Sequence, residues 1–164
     1  KFFEFKLDEC EPKVFAHQLA FNVIPHIDVF LDNDYTKEEM KMVNETQKIL
    51  HKNMEVSATC VRVPVLRSHS EAITIKFKKD FEISRVREIL RIAPSIVLVD
   101  DPSKNEYPMP LLSSDTNETY VGRLRRDNFD DKILHLWCSA DQIRVGAATN
   151  AVRIALRWID MQQK

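Results

Sequence analysis

The sequence predicts an α+β domain: a mixed, largely antiparallel sheet with helices packed on it. Three observations carry that prediction. Helix-like and strand-like segments interleave along the chain. The Leu66–Ser70 link between two extended segments is too short for a crossover helix, and hairpins make the sheet mixed, which favours α+β over a doubly wound fold. With 164 residues, 44% of them hydrophobic, the chain is also long enough to bury a core within one ordinary domain.

Residues 1–22 are compositionally mixed, and Phe2, Phe3 and Phe5 suggest a packed edge or a truncated element. Asn22 to Phe30 reads as extended, with Pro25 arguing against helix. Thr36 to about His51 reads as a helix. Thr36 and Glu39 have capping-box spacing, and Met40, Met42, Val43, Thr46, Ile49 and Leu50 supply an apolar stripe. Glu55–Val65 alternates as a strand and Glu71–Phe77 as a second, with Ile73, Ile75 and Phe77 on one face. The short Leu66–Ser70 link predicts that these two pair antiparallel. Ser84 to Ala93 is a helix capped by Ser84 and closed by Pro94. Ile96–Val99 is a buried strand, and Asp100–Ser114, with Pro102, Pro108 and Pro110, a long loop. Thr119–Arg126 and Ile133–Ser139 are two further strands. Gly146 opens a terminal helix, Ala147 to about Met161, with Ala151, Ala155, Trp158 and Ile159 apolar.

Composition narrows function by exclusion. The 24 Lys+Arg balance 25 Asp+Glu, so neither nucleic acid nor a membrane surface is expected as a partner. No apolar run approaches the ~18 residues of a membrane span. Cys10, Cys60 and Cys138 form no CxxC pair, which signals neither a metal site nor a disulfide framework and suits a reducing, cytoplasmic setting. The only glycines, Gly122 and Gly146, are too few for a dinucleotide fingerprint and too far apart for a P-loop. The chain opens on Lys1-Phe2-Phe3 and reads as a piece of a longer polypeptide.

The most informative stretch is Cys60-Val61-Arg62-Val63-Pro64-Val65-Leu66-Arg67-Ser68-His69-Ser70-Glu71. Arg62, on the predicted strand, offers a planar fork of donors for a carboxylate. His69, in a polar turn just past it, can take and return a proton near neutrality. Together they describe a site that holds a small anion and moves a proton on it. Glu38 and Lys41, three apart, share a face of the first helix; since Glu39 fits the capping role, Glu38 is available for other work. Each has an ordinary alternative: a solvated edge arginine, a surface turn histidine, an exposed ion pair. Cys60 with His69 also invites a thiol-hydrolase reading, though a cysteine on a buried strand face is usually inert packing. His17, His26 and His51 have no comparable context, and His135 alternates onto the solvated face of its strand.

These residues lie within a series of longer motifs: Phe21-Asn22-Val23-Ile24-Pro25-His26-Ile27-Asp28, Glu38-Glu39-Met40-Lys41, Ser57-Ala58-Thr59-Cys60-Val61-Arg62-Val63-Pro64-Val65 through His69-Ser70-Glu71, Tyr120-Val121-Gly122-Arg123-Leu124-Arg125, and Gly146-Ala147-Ala148-Thr149-Asn150-Ala151-Val152. In this order the chain resembles the C-terminal domain of bacterial aspartate-semialdehyde dehydrogenases from Phe21 onward. The resemblance implies a glyceraldehyde-3-phosphate-dehydrogenase-like C-terminal fold. It further implies that Arg62 binds the substrate carboxylate, Glu38 the substrate amino group and Lys41 phosphate, with His69 as general acid/base. Gly146 and Asn150 would approach the nicotinamide end of NADP.

Such an enzyme reduces 4-phospho-aspartate to the semialdehyde through a cysteine thioester, on the route to lysine, threonine and methionine. In the family the nucleophilic cysteine, its partner glutamine and the glycine-rich NADP domain precede the segment matched here. The resemblance therefore implies half of an active site, inactive alone. Residues 1–145 would be the catalytic and dimerisation domain of a homodimer, and residues 146–164 a helix packing on the N-terminal NADP-binding domain of the same polypeptide. The competing readings are a non-catalytic assembly module and a small cysteine hydrolase using Cys60 and His69.

Overall fold

The computed structural model describes residues 12–163. The edge expected around Phe2, Phe3 and Phe5, and Cys10, lie outside the described residues. The chain forms two compact units, Lys1–Pro64 and Val65–Lys164.

The first unit is built around one helix, α1, Lys37–Leu50. Both halves of the predicted capping box are present: the Glu39 N–H donates to Thr36 Oγ1 and the Thr36 N–H to Glu39 Oε2. The helix ends where His51 turns left-handed at φ 50°. Of the expected stripe, Met40, Met42, Val43 and Thr46 are partly buried, while Ile49 and Leu50 lie exposed.

The strand predicted over 55–65 does not form. The segment is extended, and among the described residues it carries an isolated antiparallel bridge between Ile24 and Arg62, with N–H···O distances of 3.0 and 2.8 Å. Pro25 follows at once, and a proline has no N–H with which to continue a ladder. The predicted hairpin is replaced as well, since the next strand pairs elsewhere.

The second unit holds β1 (His69–Lys76), α2 (Ile83–Ile92), β2 (Ile96–Leu98), α3 (Pro110–Ser113), β3 (Thr119–Arg126), β4 (Ile133–Ala140) and α4 (Thr149–Gln162). The sheet order is β1-β4-β3-β2. β4 is antiparallel to both β1 and β3, and β2 is parallel to β3, so the sheet is mixed and largely antiparallel as predicted. Val121, Leu124 and Leu134 form the buried centre, with Ile83, Val86 and Leu90 of α2 packed on it at helical spacing.

Three boundaries differ from expectation. α2 begins at Ile83 after an uncapped Glu82, so Ser84 lies inside its first turn; burial of Ile83 against the core sets the start instead. The expected loop over 100–114 contains a 3₁₀ turn, Pro102–Lys104, and α3; both use proline in the first turn, where its missing N–H is harmless. Gly146 does not open a helix but lies within a π-helical turn, Arg144–Ala148, that runs into α4.

β3 carries a register shift between Gly122 and Arg125, with Arg123 at φ 55°. A Cβ on Gly122 would lie 1.9 Å from the Val99 carbonyl oxygen and 2.7 Å from Pro108 Cδ, so this strand can pass its neighbours only as glycine. The bulge is pinned by Asp100. Its Oδ1 accepts from the Leu124 N–H at 3.2 Å and its Oδ2 pairs with Arg87 Nε at 3.0 Å.

Candidate functional site

The sequence-predicted residues divide between the units: Glu38, Lys41 and Arg62 in the first, His69, Gly146 and Asn150 in the second.

In the first unit Glu38 and Lys41 face each other as their spacing requires, with Lys41 Nζ 3.0 Å from Glu38 Oε2. Hydrogen bonding to Glu38, then its charge, raises the Lys41 pKa, so the amine is firmly cationic. Arg62 is half-buried and stacks its guanidinium 4.3 Å above the Phe15 ring centroid. Among the described residues no carboxylate pairs with it. The segment carrying Arg62 is tied to α1 through Glu39, whose Oε1 accepts from the Cys60 N–H at 2.9 Å. Backbone hydrogen bonds from Thr36 and then Cys60 hold the Glu39 carboxyl below the ordinary glutamate range.

In the second unit His69 is not in a turn past a strand: it is the first residue of β1, in register with Ala140. Its carbonyl accepts from Ser139 Oγ at 3.2 Å, and its side chain is exposed. Among the described residues the ring makes no hydrogen bond. The approach to it is tightly held. Ser68 is left-handed at φ 75°, its N–H donates to Gln142 Oε1 at 2.6 Å, and its Oγ meets Ser114 Oγ at 3.0 Å. Arg67 forms ion pairs with Asp141 Oδ2 at 2.7 Å and Asp115 Oδ1 at 2.9 Å.

Gly146 is exposed, and a Cβ there would meet nothing nearer than Gln142 Cβ at 3.9 Å. Among the described residues nothing packed nearby requires a glycine at this position. A bare backbone left open to the outside, beside exposed Asn150, fits a ring edge approaching closely; it does not provide a phosphate cradle.

The Cys138 thiol is a poor nucleophile. Cys138 is pushed up to about 12, first by burial and then by the Glu71 carboxylate beside it. Cys60 is half-buried on the extended segment rather than on a strand face. His135 is not simply solvated either. Its Nε2 lies 2.7 Å from Asp127 Oδ2 and its Nδ1 2.9 Å from Thr74 Oγ1, because the β3–β4 turn folds Asp127 back over it. Among the described residues there is no cluster of three or more His, Cys, Asp or Glu side chains able to hold a metal, and no helix long and apolar enough to cross a membrane.

Sequence reasoning missed Arg67, Asp141 and Gln142. The available signal was Asp141 standing just before the terminal helical pattern, where an aspartate caps exposed N–H groups.

A family model described as "Semialdehyde dehydrogenase, dimerisation domain" matches residues 1–145. The aspartate-semialdehyde dehydrogenase of Campylobacter jejuni is 70% identical over 163 residues, which cover 99% of this chain and 48% of that protein. Among solved structures, aspartate semialdehyde dehydrogenase II from Vibrio cholerae, complexed with ASA, superposes with a TM-score of 0.86 at 41% identity. That match covers 92% of this chain and 44% of the other. The Candida albicans enzyme, solved with NADP, matches at TM-score 0.67 and 26% identity, over 84% of this chain and 44% of that one. The chain thus spans about half the length of the curated relatives it matches. By the extent of the family match and by its fold, it belongs to the semialdehyde dehydrogenase dimerisation-domain family.

Proposed function

We propose that this chain is the substrate-binding and dimerisation half of an NADP-dependent aspartate-semialdehyde dehydrogenase that works as a cytoplasmic homodimer in the synthesis of lysine, threonine and methionine. The observation that carries the reading is Arg62: a half-buried guanidinium, oriented by Phe15, with no carboxylate partner among the described residues. A fork in that state is suited to receive the carboxylate of an amino-acid substrate. Glu38 takes the substrate amino group, and Lys41, already cationic, takes phosphate. His69 donates and accepts the proton that the acyl-transfer chemistry moves, from an exposed ring on a backbone fixed at both neighbours.

Bound NADPH would supply the hydride for reduction of the acyl group. Gly146 and Asn150 form the surface its nicotinamide end would meet, and its phosphates rest on a nucleotide-binding domain. Residues 146–164 serve as the helix that packs on that domain. Their exposed side chains support this role: Val152, Ile154, Leu156, Trp158 and Met161 are each more than half exposed, an apolar surface that calls for a covering partner.

The test is steady-state kinetics of phosphate-dependent NADP reduction by the full-length enzyme with aspartate semialdehyde. Arg62→Lys raises KM by about tenfold or more, because a point charge cannot reproduce a two-bond grip. His69→Asn lowers kcat by ~10²–10⁴-fold. An unchanged kcat in the histidine variant refutes its role.

A further inference from the structure

The strand end that carries His69 and the turn that carries Gly146 share one buried anchor. Asp141 is fully buried. Its Oδ1 accepts from the N–H groups of Ile143 at 2.9 Å and Arg144 at 3.1 Å, and its Oδ2 from the N–H of Asp115 at 2.8 Å. The same Oδ2 lies 2.7 Å from Arg67 Nε, in an ion pair rather than an aligned hydrogen bond. Arg67 stands two residues before His69. The intervening Ser68 is bonded to Gln142, the neighbour of Asp141, and His69 faces Ala140 across the sheet. On its other side Asp141 precedes the π-helical turn that contains Gly146 and accepts from the N–H groups of Ile143 and Arg144, where that turn begins.

A helix start needs only an uncharged acceptor such as serine or asparagine. Burying a full charge is expensive unless it is paired and bonded on several sides. The arrangement therefore does more than begin a helix. We propose that Asp141 is a positioning residue that fixes the His69 strand end and the Gly146–Asn150 turn in one frame, so that acid/base and cofactor surface keep their mutual geometry. The roles of those two groups rest on the reading given under Proposed function; the linkage between them rests on the contacts alone.

Two variants of the full-length enzyme test it. Asp141→Asn keeps an acceptor for Ile143 and Arg144 but discards the charge. Arg67→Met removes the paired cation without altering any group of the turn, and it carries the same test where Asp141→Asn fails to fold. Each is expected to lower kcat by about 10²-fold through sub-ångström misplacement. KM for aspartate semialdehyde should stay within about twofold, since the residues proposed to clamp the substrate lie in the other unit. In a His69→Asn background the further loss should shrink clearly below that in the wild-type background, because the part that acts through His69 is already gone. Hydrogen exchange of the Arg67→Met enzyme should quicken at Ser68 and also across residues 143–148, with which Arg67 forms no hydrogen bond or ion pair. An unchanged kcat, an undiminished loss in the His69→Asn background, or quickening confined to residues 66–69 would overturn the proposal. A wild-type enzyme that does not turn over aspartate semialdehyde refutes the functional reading instead, and the exchange pattern alone then sustains or overturns the linkage.

Discussion

The Glu39 carboxylate accepts from the Cys60 N–H at 2.9 Å while its other oxygen caps its own helix through Thr36. One side chain thereby ties the first turn of α1, where Glu38 and Lys41 sit, to the extended segment that ends at Arg62. Together with the bridge between Ile24 and Arg62, this contact helps set the segment's course.

Glu39→Ala should accordingly damage two things together. It removes a cap and the hydrogen bond that Glu39 accepts from the half-buried Cys60 amide, lowering the melting temperature by several degrees. In the full-length enzyme it should raise KM for the semialdehyde more than it lowers kcat, because the residues it positions are those proposed to hold substrate. Calorimetry and steady-state kinetics on one preparation check both, and an unchanged KM refutes the positioning role.

The two glycines should respond in opposite ways to alanine. Gly122→Ala drives a methyl group into the Val99 carbonyl, a backbone atom that cannot swing aside, and should cost about 3 kcal/mol or prevent folding. Gly146→Ala meets only an ordinary contact and removes a flexible residue from a helical turn, a gain of up to about 1 kcal/mol. The second variant should nonetheless weaken NADP binding in the full-length enzyme. Urea melts and a cofactor titration distinguish these outcomes.

Cys138 should resist alkylation. With its pKa pushed up to about 12, only about 10⁻⁴ of the thiol is ionised at pH 8. Iodoacetamide followed by peptide mass mapping should find Cys138 unmodified on a timescale that labels an ordinary exposed thiol completely. Replacing Glu71 by Gln removes one of the causes and should speed labelling modestly, since burial is the larger.

Acid stability has a predictable limb. The Asp101 carboxyl is lowered from 3.8 to about 2 by the Ser103 hydroxyl, then by Lys104 and the Ser103 N–H. A carboxylate whose folded pKa lies below its unfolded one stabilises the fold fully above the unfolded value. That contribution fades as pH falls from about 4 towards 2. Asp101→Asn should therefore separate from wild type in urea midpoint at pH 6 and converge with it near pH 2. Parallel curves across that range would show that the bonds at Asp101 contribute nothing to folding.

Local chemistry was legible in the sequence, and pairing was not. The capping box of α1, the spacing of Glu38 and Lys41, and the strands over 119–126 and 133–139 follow from rules acting within a few residues. The strand expected over 55–65 failed because alternation describes a segment's readiness to pair, while pairing needs a partner with N–H groups to offer, and Pro25 withdraws one. β1 was recognised as a strand but given the wrong neighbour, since its true partner lies beyond α2, β2 and β3. Asp141 escaped notice for the same reason: its partners Arg67 and Asp115 are remote in sequence, and only the folded chain shows that they converge.

The strand order has a kinetic consequence. β3 and β4 are joined by a short turn and between them hold Val121, Leu124 and Leu134, so this hairpin can collapse early at little cost in loop closure. β1 contributes no fully buried residue and reaches β4 only across the whole of α2, β2 and β3. It should therefore arrive after that hairpin, and it brings His69 with it. During refolding the apolar core should be protected before the histidine is in register, so recovery of structure runs ahead of recovery of chemistry.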